Sequence, residues 1–130
     1  MPNSTEVSDF FARPLRFAST FMNADPNGAA PVERARLAEA LPKRKASFDA
    51  AGVGHLTLRS LTETVLDDNY VLAETTWAAP IEGGGVFETA ATYILRRTHD
   101  GFEVVFYLNH VDVQAALSEL AHNDDHDPLA

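Results

Sequence analysis

The chain has 130 residues, no cysteine and 45% hydrophobic residues. That is enough for one continuous core, and it excludes thiolate metal sites, redox pairs and cysteine nucleophiles. Nineteen acidic residues against ten basic ones leave a formal net charge of −9, and such a surface repels phosphate backbones, so no nucleic-acid partner is expected. No run approaches the roughly 20 apolar residues of a membrane span. Met1 to Phe10 has no basic region followed by an apolar stretch, so a cytoplasmic protein with no membrane partner is the expectation.

In chain order, Asn3 and Ser4 are suited to cap a first helix, with Glu6 three residues after Asn3. Val7, Phe10, Phe11, Leu15, Ala18 and Met22 then recur at helical spacing, which predicts one amphipathic helix with a kink at Pro14 or a start at Arg13. Asp25-Pro26-Asn27-Gly28 ends it in a turn. Pro31 suits the first position of a second helix running to about Leu41; Pro42 suits the start of a third, closed by Gly52 as the residue after its C-cap.

From His55 the period changes. Leu56 to Leu66, Tyr70 to Ala79, Val86 to Arg97 and Phe102 to Val111 are rich in Val, Thr, Tyr and Leu and carry turn signals at their ends, Asp100-Gly101 being the sharpest. Short connections predict a four-stranded antiparallel meander. Asp112 caps a short final helix carrying Val113, Ala116, Leu117 and Leu120 on one side. The fold class is therefore α+β, as one domain over residues 1–121 followed by an acidic tail, 122–130, expected to be disordered.

Alternation along each strand predicts which side chains face the helices. Phe87, Thr89, Ala91, Tyr93 and Leu95 fall on one face, with Val71, Ala73, Thr75 and Trp77 of the preceding strand. In the last strand the same count sends Val104, Phe106, Leu108 and His110 inward, and Val105, Tyr107 and Asn109 outward. The outer face then holds Leu72, Ala90, Ile94, Val105 and Tyr107, half apolar, which predicts a homodimer through the sheet.

The order of helices and meander is familiar. So are the last strand, Gly101-Phe102-Glu103-Val104-Val105-Phe106-Tyr107-Leu108-Asn109-His110, the preceding strand ending Tyr93-Ile94-Leu95-Arg96-Arg97, and Trp77 before it. Together these resemble the nuclear transport factor two-like superfamily, which includes ketosteroid isomerases, scytalone dehydratase and SnoaL-like polyketide cyclases. The match covers roughly the last 75 residues well and the first helix loosely; its patterns speak for fold rather than activity. The resemblance implies a cone, in which a bent sheet wraps the helices and leaves a pocket at its open end, and dimers formed through the sheet's outer face. The isomerases take their general base from a short acidic strand after the helices, and Asn23 to Gly54 offers no such strand.

Within that cone, the expected pocket is lined by Phe11, Leu15 and Phe21 of the first helix and by Trp77, Tyr93, Phe106 and His110. Trp77 and Tyr93 suit an amphipathic organic ligand and are equally ordinary as core residues. His110 is the candidate general base, with Asp112 two residues on to orient it and Tyr93 as donor to a developing oxyanion. The alternative makes Asp112 the helix cap and His110 a hydrogen-bonded strand-end histidine. Glu74 and Glu88 fall on the opposite face, near Arg59, Arg96 or a partner chain, unless a bulge exchanges the faces. The histidines at 55, 99, 110, 122 and 126 are scattered, so no metal site is expected. Gly83-Gly84-Gly85 lacks the context of a phosphate loop, and no serine elbow or dinucleotide fingerprint is present, so no cofactor is expected. The leading expectation is a dimeric domain that binds an unidentified small molecule. An isomerase, dehydratase or cyclase using His110 is the alternative, as is a protein-interaction module whose pocket is filled by its own side chains.

Overall fold

The computed structural model describes residues 4–126, with side chains from 6 to 120. Helix α1 (Ser4–Phe11) buries Val7 and Phe11, one turn apart, against the sheet. It stops where Ala12 N–H reaches Ser8 O at 3.0 Å, because Pro14 has no N–H to give and disfavours helical geometry at Arg13. Pro14 thus terminates the helix rather than kinking it.

The next element is a strand, not more helix: β1 (Phe17–Asp25). Its Phe, Ser and Thr residues suit an extended chain, and two flanking strands supply its hydrogen bonds. The Asp25-to-Gly28 turn closes a hairpin, with Asp25 Oδ1 accepting from Asn27 N–H at 2.8 Å. The hairpin partner β2 (Gly28–Glu33) carries Pro31 on a sheet edge, where a missing donor is tolerated. The two helices expected around Pro42 are one, α2 (Arg34–Ala50), with Pro42 inside it. Its C-terminus is a Schellman motif: Gly52 at φ 74°, Gly52 N–H on Asp49 O at 3.1 Å, and Val53 N–H on Phe48 O at 3.0 Å. Gly52 therefore sits where the sequence puts it.

Four more strands complete the sheet: β3 (Thr57–Val65), β4 (Tyr70–Pro80), β5 (Val86–Thr98) and β6 (Gly101–Asn109). They form the expected antiparallel meander, but the sheet has six strands, in the order β2-β1-β6-β5-β4-β3, and is mixed because β1 runs parallel to β6. The four-stranded, purely antiparallel expectation is corrected on that point; the α+β class stands. Asp112 caps α3 (Val113–His126) by accepting from Ala115 N–H at 3.0 Å. The backbone is helical past residue 121, where the tail was expected to begin, and residues 127–130 lie outside the described ones. Among the described residues no helix is long and apolar enough to cross a membrane.

Two apolar clusters hold the layers together. One joins α1 to β4, β5 and β6 through Val7, Phe11, Tyr93, Leu95 and Val104; the other joins the end of α2 and α3 to the far ends of β4 and β5 through Phe48, Val53, Phe87 and Leu117. Between them the first half of α2 arches over the sheet without burying a side chain fully. That span is where a cavity opens.

Candidate functional site

The concave face of β4 and β5 follows strict alternation. Ala73 pairs with Tyr93, Thr75 with Ala91 and Trp77 with Thr89, all turned toward the helices. In β6 the alternation breaks. Val104 pairs with Leu95 but Phe106 with Ile94, which leaves Val105 as an extra residue. A bulge of this kind exchanges the two faces of everything beyond it. Tyr107 and Asn109 consequently point inward beside Tyr93 and Ala91, and Phe106, Leu108 and His110 point outward.

The inward residues bound a cavity of about 350 Å³ between α2 and the sheet, within the size range of small-molecule sites. Leu15 and Phe17 close one side, Leu37 and Leu41 of α2 lie above, and Trp77 and Tyr93 form the floor. Phe11 packs edge-on behind that floor, 6.3 Å from Trp77 and 5.0 Å from Tyr93 between ring centres. Trp77 Nε1–H is already engaged, donating to Thr75 Oγ1 at 2.8 Å while Thr75 donates to Ala91 O at 2.9 Å. Trp77 therefore offers the cavity an apolar surface.

The polar groups gather at one end. Tyr93 and Tyr107 sit opposite one another in register with ring centres 5.1 Å apart. Asn109 Nδ2 donates to Tyr107 Oη at 3.1 Å, and Asn109 Oδ1 accepts from Thr89 Oγ1 and Val111 N–H, both at 3.3 Å. Because Tyr107 Oη accepts from Asn109, its own proton is left to be donated elsewhere. Tyr93 makes no hydrogen bond to another described residue, and its hydroxyl is not sealed in the core. Burial, and secondarily Tyr107, push its pKa well above the ordinary tyrosine value, against a smaller opposing pull from Arg44. At neutral pH it is a neutral donor. Arg44 of α2 completes the group, its guanidinium carbon 5.7 Å from the centre of the Phe48 ring.

Of the residues expected at the pocket, Leu15, Trp77 and Tyr93 line it. Phe11 stands behind it, and Phe21 lies buried beside Phe17 at 4.6 Å. Phe106 and His110 are not in it: the Val105 bulge moves both to the outer face. There His110 Nε2 is 2.7 Å from Thr92 Oγ1, in a shallow exposed groove with Ser60, Thr62 and Glu74. Asp112 does not orient His110, since its carboxylate is held by Ala115 N–H and by Asn27 Nδ2 at 2.6 Å. Glu74 lies outward as expected, while the partner of Arg96 is Glu103, at 2.9 Å. Arg44, Tyr107 and Asn109 went unforeseen. A polar Asn in step with Tyr107 and Tyr93 hints at a shared face, but nothing in Val104-Val105-Phe106 marks the bulge.

The cavity presents donors to an acceptor, and no Asp, Glu or His is among the described residues that line it. A family model described as "NTF2-like protein (DUF6841)" matches residues 3–112. This chain belongs to that family. The solved structures similar to this NTF2-like protein agree on the fold. The Kfla4162 protein of Kribbella flavida is 15% identical, with 91% of this chain and 95% of that one covered and a TM-score of 0.63. Aln2 of a Streptomyces species is 16% identical, covering 91% and 99%, at 0.62. An NTF2-like protein with a cystatin-like fold from Novosphingobium aromaticivorans is 24% identical, covering 80% and 70%, at 0.56. At such identities the likeness establishes architecture alone. No curated protein sequence matches this one.

Proposed function

We propose that this NTF2-like protein binds a small amphipathic molecule in the cavity beneath α2. The observation that carries this reading is an unfilled volume of about 350 Å³ with apolar walls and hydroxyl and guanidinium donors collected at one end. Leu41 is 50% exposed although it borders that volume, and a bound ligand would cover it. Binding accounts for the site better than isomerase-type catalysis, which needs a base, and no Asp, Glu or His is among the described residues of the lining.

A thermal-shift panel of apolar and amphipathic compounds tests the reading. Compounds that occupy the cavity raise the melting temperature by mass action, and the shift is lost in Ala91→Leu, which fills the floor. If no compound gives a saturable shift, or if Ala91→Leu binds unchanged, the reading fails.

A second reading concerns assembly. We infer that the protein forms a homodimer through the outer sheet face, where Leu72, Ile94 and Phe106 lie in register and, with Leu108 next along β6, remain partly exposed. A two-fold interface asks each copy for the same patch, and this patch is apolar at its centre, with the Arg96–Glu103 pair among its charges.

A further inference from the structure

Resting on the cavity reading, we propose that the ligand is an anion: a compact apolar body carrying a carboxylate, held at the end of the cavity formed by Arg44, Tyr93 and Tyr107. On a protein of net charge −9 this is not the default. It follows from where the charges are.

Arg44 is the sole charged side chain among the described residues that line the cavity, and it makes no ion pair among them. The acids that border the adjoining cleft are otherwise engaged. Asp25 and Asp112 border the adjoining cleft on the far side of Arg44, Tyr107 and Asn109. Asp25 accepts from Asn27 N–H, and Asp112 from Ala115 N–H and Asn27 Nδ2. A part-buried guanidinium without a counter-ion is unusual, because its desolvation is normally offset by a paired carboxylate. Contact with the Phe48 ring offsets part of this.

The neighbours of Arg44 point the same way. Tyr107 takes its hydrogen bond from Asn109 and so has its proton to give; Tyr93 is a neutral hydroxyl with no hydrogen bond among the described residues. Three donor groups thus face one end, and the amide oxygen of Asn109 beside them is already taken by Thr89 Oγ1 and Val111 N–H. A guanidinium fork with flanking hydroxyls matches a carboxylate, and charge-assisted bonds of this kind are about twice as strong as neutral ones. Trp77, with its N–H used internally, and Leu15, Leu37 and Leu41 offer only apolar contact to the rest of the ligand.

Trp77 is the single tryptophan of the chain, so its fluorescence reports occupancy. The experiment titrates three optically silent probes that share one rigid body: adamantane-1-carboxylate, 1-adamantanemethanol and 1-adamantanemethylamine, the last protonated at neutral pH. The carboxylate is expected to bind at least about ten-fold more tightly than the alcohol, and the ammonium more weakly than either. Arg44→Met, which keeps the apolar stem over Phe48, is expected to abolish the preference while still binding the alcohol; Arg44→Lys retains part of it. Equal affinities of wild type for carboxylate and alcohol overturn the anion assignment and leave the cavity reading standing, as does a preference that survives Arg44→Met. If no probe perturbs Trp77, both fall together.

Discussion

Tyr93 shows how much of this site depends on individual side chains meeting in space. Trp77 and Tyr93 are legible from alternation and aromatic character alone, because β4 and β5 run without interruption, whereas Leu15, expected on the first helix, lines the cavity from the segment after that helix ends. Asn109 and Tyr107 are not, since their inward aim depends on one extra residue at Val105. Nor is Arg44, which in the sequence belongs to the basic run Lys43-Arg44-Lys45 and reads as a solvated helix face. The raised pKa of Tyr93 makes the site testable at this scale. A folded-state pKa above the unfolded value contributes stability below about pH 10 that is lost as pH rises beyond it, because the unfolded chain then ionises first. Tyr93→Phe should therefore leave the tyrosinate absorbance gained by the folded protein between about pH 9 and 11 unchanged. It should also flatten the alkaline decline in unfolding free energy. If that absorbance falls with Tyr93→Phe while circular dichroism still reports a folded chain, the buried assignment is wrong.

At the scale of elements, the sequence serves β3 to β6 well and the first 50 residues poorly. Val, Thr and Tyr with turn residues at each end leave little alternative to strands between Thr57 and Asn109. Between Phe17 and Glu33 the same apolar residues satisfy a helical period and an extended one; pairing with β6 decides the matter, and β6 lies some 80 residues away. Pro42 misleads in the other direction, since a single helix accommodates it at the loss of one internal hydrogen bond. The α3 cap offers the cleanest test. Ala115 N–H first, and Asn27 Nδ2 second, hold the Asp112 pKa below the ordinary carboxylate value. A depressed folded-state pKa gives stability that is present above the ordinary carboxylate range and lost as pH falls through the folded value. Asp112→Ala should lower the melting temperature by a few degrees at neutral pH, and the deficit should shrink as pH falls below about 4. Asp112→Asn, which still caps, should lose far less. Equal losses for both variants at every pH would refute the cap.

For the molecule as a whole, the outer sheet face and the cavity are two outcomes of the same bulge. Turning Tyr107 and Asn109 inward builds the polar end of the cavity; turning Phe106 and Leu108 outward, beside Ile94 and Leu72, builds the apolar patch. Light scattering at micromolar concentration should give the mass of two chains for wild type and one for Phe106→Asp, since a buried unpaired carboxylate opposes association. A single-chain mass for wild type sinks the dimer. Composition and periodicity alone determined an α+β class with a long meander and a capped final helix, because those features are written in local propensity and alternation. The tertiary structure alone decided that β1 joins the sheet, that α2 is one helix and that the faces of β6 exchange midway. Strand pairing is a contact between distant segments, and a bulge arises from how two strands match rather than from the residues of either one.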